Sequence, residues 1–573
     1  MPRTFAKSLF FGEVAYDVAF PFPEMGREER ARVTAMLDDL QARGDRWTHH
    51  RENSASGVPI PRSVFDDCAA AQVFASCIPE SFGGAPLSHL GRARVFEGLG
   101  HEDIATGIAV VSAATAAPLA LVHFAKPALP AQWLPRIARG EVLTAFALTE
   151  TGAGSDAGGV HTRADRDASG SFVVQGEKAW VTNAHVADAY VIFARTSPTD
   201  EHAKPRLTAL FAPSDATITL ATTDATLGLE AIACPRVVFA GTRVADNAVL
   251  GEPGRGFRVA VELFNRSRIM LAAVALGSVK AAIRHVLRRC DERRAFGRNI
   301  GEFGAIKDRV SKMLVDAFVL ESLVYWTCGL ADAEDADVSI ESALCKIVAS
   351  EVAQSTADSA FHIFASAAYL EASPIARMLR DVRALSVLQG TNDVLACFVA
   401  LSGMQEPGRE ISEVAKAMRE PIKGFGLLSD MAIRRVKDAF ASAPTSPAHA
   451  SLAREVGIVE KYAGELARTS DRMLRRHGSN IAEMQFTQHR IASITRDLVT
   501  LTACIARATK AIAKRGEEGS RREMDMLRIF ASDAERRLAA TVASFDQNED
   551  ELQKSVASRA YLDGAYPLEA LEG

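Results

Sequence analysis

The 573-residue sequence is poor in cysteine, and its eight cysteines contain no Cys-x-x-Cys pair. Cys68, Cys77, Cys234, Cys290, Cys328, Cys345, Cys397 and Cys504 therefore argue against a disulfide scaffold or a structural zinc site, and no metal centre is expected. The chain also lacks an excess of either charge: 66 Lys and Arg stand against 71 Asp and Glu. Nucleic-acid binding by phosphate neutralisation is therefore not expected. Residues 1–20 have no continuous apolar run and carry Glu13 and Asp17, so no export signal is read and a cytoplasmic protein is expected. Hydrophobic residues make up 48% and charged residues 24%, which excludes a disordered or low-complexity chain. The most apolar stretch, Ile108 to Ala125, is Ala-rich and carries His123. It reads as a buried core helix, not as a membrane span.

Four zones follow from pattern. Residues 1–140 read as helical, with breaks at Pro61, Pro79 and Gly83-Gly84. Residues 141–252 change texture: Phe172-Val173-Val174, Tyr190 to Phe193 and Val237-Val238-Phe239 alternate with Gly, Asp and Asn turns, which reads as antiparallel sheet. Residues 253–405 return to long helical periodicity, and 406–573 form a further helical zone. Helices, a β module, then helices make an α+β chain with segregated domains.

Two Gly-containing turns could carry ligand chemistry. Thr149 to Asp156 (TETGAGSD) follows an apolar run and offers free backbone amides plus the Thr149 and Ser155 hydroxyls. It is not a dinucleotide fingerprint, because Ala157 replaces the third glycine and a turn and strand, not a helix, are expected next. In Gly176 to Asn183 (GEKAWVTN), Trp180 could lie against a planar ring with Thr182 at its edge. Taken alone, this segment reads better as a hairpin with a core tryptophan. Arg293-Arg294-Ala295-Phe296-Gly297, Arg380 to Arg383 and Gln389 to Asp393 add arginines suited to a pyrophosphate, although each alone would mark a solvated face.

Taken together and in this order, these elements resemble the acyl-CoA dehydrogenase family, from about Ala6 to the C-terminus. Gly390 to Leu395 and Phe398 to Leu401, with the long segment after Gln405, are most similar to its very-long-chain branch. The resemblance implies a helical N-terminal domain, a middle β domain, a C-terminal four-helix bundle and an additional helical domain. It also implies non-covalent FAD held between the β domain, the bundle and a neighbouring subunit of a homodimer. By position, Phe146, Leu148, Thr149, Trp180 and Thr182 correspond to isoalloxazine contacts. Ser155, Arg293, Phe296, Thr391 and Asn392 correspond to contacts with the rest of FAD, and Arg268 lies near base and substrate.

Three departures stand out. The family's Gln-x-x-Gly-Gly reads His362-Ile363-Phe364-Ala365-Ser366, which is expected to weaken a close backbone approach. Lys307 replaces a cofactor-facing glutamine. Gln389 replaces the glutamate base, and Ser267, before Arg268, occupies the alternative base position. A neutral amide cannot accept the α proton, so both positions are vacant. The leading expectation is decarboxylative dehydrogenation of a β-keto acid, with O2-dependent oxygenation as a further step, as in epoxyketone-forming members. The alternatives are a long-chain acyl-CoA dehydrogenase whose base has moved, to Glu262 or Glu97, and a flavin-loaded binding protein without catalysis. The expected partners are an acyl, β-keto acyl or peptidyl substrate, with O2 or an electron-transfer flavoprotein as oxidant. The segment Phe425 to Phe440 could lie on a membrane surface, but packing within the protein is favoured.

Overall fold

The computed structural model describes residues 4–44, 47, 58–196, 206–221, 224–333, 336–419, 446–566 and 568. The segment 425–440 lies outside the described residues. The first zone contains α1 (Phe5–Leu9), α2 (Tyr16–Ala19), α3 (Arg27–Gly44), α4 (Arg62–Ala70), α5 (His89–Glu102), α6 (Ile104–Phe124) and α7 (Ala128–Ala138). Asp103 caps α6, accepting the Thr106 amide at 2.8 Å, and it also receives Arg377 at 2.6 Å. Among the described residues, helix α6 is one of three helices long and apolar enough to cross a bilayer. In all three, two thirds or more of the apolar stretch is buried inside the protein, and in α6 the share is 89%. This is the core helix expected for Ile108 to Ala125.

The second zone is a sheet of β1 (Thr144–Ala147), β2 (Arg163–Arg166), β3 (Phe172–Lys178), β4 (Ala189–Arg195), β5 (Leu207–Pro213), β6 (Ile218–Leu220), β7 (Val237–Val244) and β8 (Val249–Leu250). Its order is β6-β7-β3-β2-β4-β5-β8, with β1 also on β4. The expectation of a purely antiparallel sheet is corrected: β1 and β2 both run parallel to β4. Forty-one residues separate Ala147 from Ala189, enough for a crossover where a hairpin would have forced antiparallel pairing. Phe193, Phe211 and Phe239 fill the buried face.

The bundle is α8 (Gly256–Glu292), a hairpin of β9 (Arg294–Ala295) and β10 (Arg298–Asn299), α9 (Gly304–Ala331), α10 (Ser339–Phe364), α11 (Pro374–Asp381) and α12 (Asn392–Arg419). Helices α5 and α8 cross with backbones in contact. A Cβ on Gly100 would sit 2.0 Å from the Val274 carbonyl oxygen, and one on Gly277 the same distance from that of Glu97. Only glycine permits this crossing. Pro407 lies within α12, which runs through the expected 405/406 boundary.

The last zone contains α13 (Ala453–His477), α14 (Gln485–Gly519), α15 (Arg521–Ala543) and α16 (Asp550–Asp563). Arg507 joins it to the bundle, donating to the Phe318 carbonyl and Ser322 Oγ and pairing with Glu321 at 2.6 Å. The charge-rich stretch Glu517 to Leu552 is not simply a solvated face. Helix α15 buries Met524, Leu527, Phe530 and Leu538, because its apolar residues recur at helical spacing between the charges, whereas α16 buries nothing.

Where the first segment meets α10, Glu341 is buried. Its Oε1 accepts the Ala6 amide at 2.9 Å, and its Oε2 has no partner among the described residues. Burial pushes this carboxyl up to about 7. A folded-state pKa raised above the ordinary 4.5 means that stability is fully present below that value and is lost as pH rises toward 7. Glu341→Gln should flatten this loss. The melting temperature of the parent should fall relative to the variant across that window, by the equivalent of ~2–3 kcal/mol. Parallel melting curves at all pH values would refute the assignment.

Candidate active site

Two turns of the β domain are tied together from behind. Lys178, fully buried at the end of β3, donates to the Leu148 carbonyl at 2.9 Å and to Glu150 Oε1 at 2.8 Å. Glu150 also accepts the amides of His161 and Thr162, at 2.6 and 2.9 Å, and the Ala179 amide bonds the Thr149 carbonyl at 2.8 Å. Burial would raise the Glu150 carboxyl, but Lys178 and these donors outweigh it and hold it low; burial draws Lys178 down to about 8. Gly176 is required here. Its φ is +149°, and a Cβ would meet Thr162 Cα at 2.7 Å.

With the backbone pinned, the outward-facing groups are free. Among the described residues, the hydroxyls of Thr149 and Ser155 and the indole N–H of Trp180 have no hydrogen-bond partner. Trp180 is 49% exposed at φ +52°, so the core-tryptophan reading of the hairpin is overturned: the left-handed backbone turns the ring outward. Thr182 touches only Cys234 Sγ, at 3.6 Å. Leu148 is buried, and Phe146 packs its ring against Phe193 and against Phe264 of α8, with centroids 4.9 and 5.4 Å away. This outward set fits a flat, hydrogen-bonding ring system between the β domain and α8.

The bundle contributes the other wall. Gln389 has φ +55° and Gly390 φ +101°, so the chain turns sharply before α12. Arg268, 7% exposed, donates from Nε and Nη2 to the Gln389 carbonyl at 3.1 and 3.0 Å. The Gln389 Oε1 is buried and has no partner among the described residues. Ser267 is buried and bonds only the Phe264 carbonyl of its own helix, at 3.4 Å. Thr391 Oγ1 accepts the Val394 amide, capping α12. The Asn392 carboxamide is bonded to Ser350 and Lys346. Lys346, which sequence reasoning missed, holds the loop from beneath. A lysine within an apolar helix gives no signal of its target until α10 packs under residues 386–392.

Both relocated carboxylates are misplaced. Glu97 is bound to Lys280, Arg94 and Tyr325, and Lys280 lies twelve positions beyond Arg268, ~18 Å along α8. Glu262 precedes Phe264 by two residues. That places it about 160° around the helix from the ring that meets Phe146.

Arg293 and Phe296 are not brought to this wall. They stand at the far end of α8, 25 positions or more after Arg268, ~38 Å along its axis. Phe296 is 95% exposed on the β9–β10 hairpin.

Sequence comparison bears on this geometry. Family models match residues 31–141 (acyl-CoA dehydrogenase, N-terminal domain), 145–242 (middle domain), 254–403 (C-terminal domain) and 450–561 (ACAD9/ACADV, C-terminal domain). The Homo sapiens very long-chain specific acyl-CoA dehydrogenase, mitochondrial, is 28% identical over 89% of this chain and 80% of its own length. The Rattus norvegicus short-chain specific acyl-CoA dehydrogenase is 30% identical over 60% of this chain and 82% of its own. A Bacillus anthracis acyl-CoA dehydrogenase crystallised with FAD superposes with a TM-score of 0.80 at 22% identity, over 99% of this chain and 97% of that one. The flat-ring wall thus fits FAD, which Phe146, Leu148, Thr149, Trp180, Thr182 and Ser155 would hold.

The segment His362 to Ser366 keeps a glycine-like backbone without glycine: Ala365 has φ +53° and ψ −133°. An alanine is strained there by ~1 kcal/mol. Ala365→Gly should therefore raise the melting temperature and tighten FAD binding in reconstitution titrations; a lower melting temperature would show that the strain is absent. Lys178→Met should destabilise by ~3 kcal/mol in urea melts, because it leaves Glu150 buried without its cation; an unchanged midpoint would remove the brace.

Proposed function

This chain belongs to the acyl-CoA dehydrogenase family of FAD-dependent oxidoreductases, and from that premise we propose that it oxidises an α-alkyl β-keto acid by a decarboxylative route: CO2 leaves the α carbon, hydride leaves the alkyl carbon attached to it, and the new C=C joins those two carbons beside the ketone. The supporting observation is chemical. The residue held by Arg268 at the head of α12 is Gln389, a neutral amide, and neither Glu97 nor Glu262 stands in for it. Glu97 is engaged about 18 Å along α8, Glu262 faces away, and Ser267 bonds its own helix. A substrate that loses CO2 leaves its electron pair on the α carbon and needs no proton acceptor there. FAD, when bound, supplies the acceptor for the two electrons. Gln389 can donate an N–H to the substrate carboxylate, which a glutamate at this position would repel. O2 or an electron-transfer flavoprotein then serves as final oxidant. With O2, the reading extends to oxygenation of the new alkene.

A homodimer is part of this reading. One dinucleotide cannot touch both Arg268 and Phe296 of one chain across ~38 Å of helix. The exposed hairpin of Arg293 and Phe296 therefore serves a neighbouring copy. Long-chain acyl-CoA desaturation is the second reading, favoured by the long match to very-long-chain relatives.

Anaerobic titration followed by flavin absorbance separates the two. Bleaching by β-keto acids with CO2 release, and not by saturated acyl-CoA thioesters, is expected; the reverse pattern establishes the second reading. Gln389→Glu should lower β-keto acid turnover at least about tenfold. A rise would overturn the decarboxylative route.

A further inference from the structure

Several other cations drawn in from solvent meet carboxylates. Lys178 pairs with Glu150, Lys280 with Glu97 and Glu321, Arg377 with Asp103 and Asp381, and Arg490 with Asp550. The two cations beside Gln389 break that pattern. Besides the Gln389 carbonyl, Arg268 donates to Asn265 Oδ1 at 3.1 Å, and Phe264 covers its guanidinium with the ring centroid 5.5 Å away. Lys346 is 2% exposed, and its Nζ donates to the carbonyls of Gly390 and Ser386, at 2.6 and 3.1 Å, and to Asn392 Oδ1 at 2.9 Å. Every one of these acceptors is neutral. No carboxylate is bound to either cation among the described residues.

Two buried like charges without a counter-ion are costly. Burial draws Lys346 down to about 7, and the neighbouring Arg268 adds to the shift. Burial likewise draws Arg268 down to about 10. Such a pair is tolerated where an anion arrives with a ligand. The Gln389 Oε1, buried and unpartnered, cannot receive a hydrogen bond from a carboxylate, so the amide N–H groups of Gln389 are the ones that would donate to that ligand.

We propose that Lys346 is a specificity-determining residue which, together with Arg268, selects an acyl ligand that brings a carboxylate to Gln389. Its Nζ is fully engaged by the loop, so it acts as a positioning residue. It fixes residues 386–392 from beneath and, when protonated, supplies an uncompensated positive charge through space. The inference rests on Gln389 facing the substrate, as proposed above, but not on decarboxylation.

The test is calorimetric titration of the FAD-loaded protein with matched inert probes: straight-chain fatty acids, butanoic to hexadecanoic, and the corresponding primary amides. The acid should bind at least about tenfold more tightly than its amide. Lys346→Gln keeps hydrogen-bond donors but removes the charge, and should bring the ratio close to one. Lys346→Arg keeps the charge and should preserve the ratio. Equal binding of acid and amide by the parent overturns the proposal by itself, even if no variant folds. An unchanged ratio in a FAD-loaded Lys346→Gln protein overturns it too. If β-keto acids fail to bleach the flavin while the acid preference persists, the decarboxylative reading falls and this one stands. If they bleach it without an acid preference, this one falls.

Discussion

The carbonyl of Gln389, gripped by Arg268, is the contact on which the rest of the site depends. It joins the longest bundle helix to the loop that begins α12. Lys346 grips the same loop from α10. Two helices thereby fix a backbone turn that has left-handed torsion at Gln389. Whatever side chain stands at position 389 is presented at a fixed place. The chemistry can then change with a single side chain while the scaffold stays constant, because the gripped atom belongs to the backbone.

The β domain follows the same logic with the signs balanced. Lys178 and Glu150 sit behind the two turns that carry Thr149, Ser155, Trp180 and Thr182, and saturate each other and the adjacent amides. The polar knot is buried, and the ligand-facing groups point outward. Rigid backbone behind free side chains is what a tightly held planar cofactor needs. At the bundle wall the knot is cationic and unbalanced, which separates a cofactor shelf from a site awaiting an anion.

Much of the molecule was readable in its residues. The apolar run Ile108 to Ala125 and the long periodicity after Phe257 identified helices because burial and helical spacing are local properties. The turns at Thr149 and Gly176 and the departure at Gln389 were likewise visible, since residue type alone decides whether a group can accept a proton. Other features were hidden for a physical reason. Trp180 read more readily as a core residue, because only the backbone torsion at that position turns it outward. The bond between Asn392 and Ser350 could not be read, because the two lie 42 positions apart. The strand alternation around β4 could not distinguish antiparallel from parallel pairing, because side-chain alternation is the same in both.

The sequence by itself determined the order of helical and β zones, the set of groups available for cofactor binding, and the lack of a carboxylate at both expected base positions. Each of these depends on chemistry carried within a few neighbouring residues. The tertiary structure alone decided that Glu97 is locked away along α8, that Arg293 and Phe296 stand remote from Arg268, and that Lys346 and Arg268 converge without a counter-ion among the described residues. Distance and burial between residues far apart in the chain exist only once the helices have packed, and those two quantities set the cost of a buried charge.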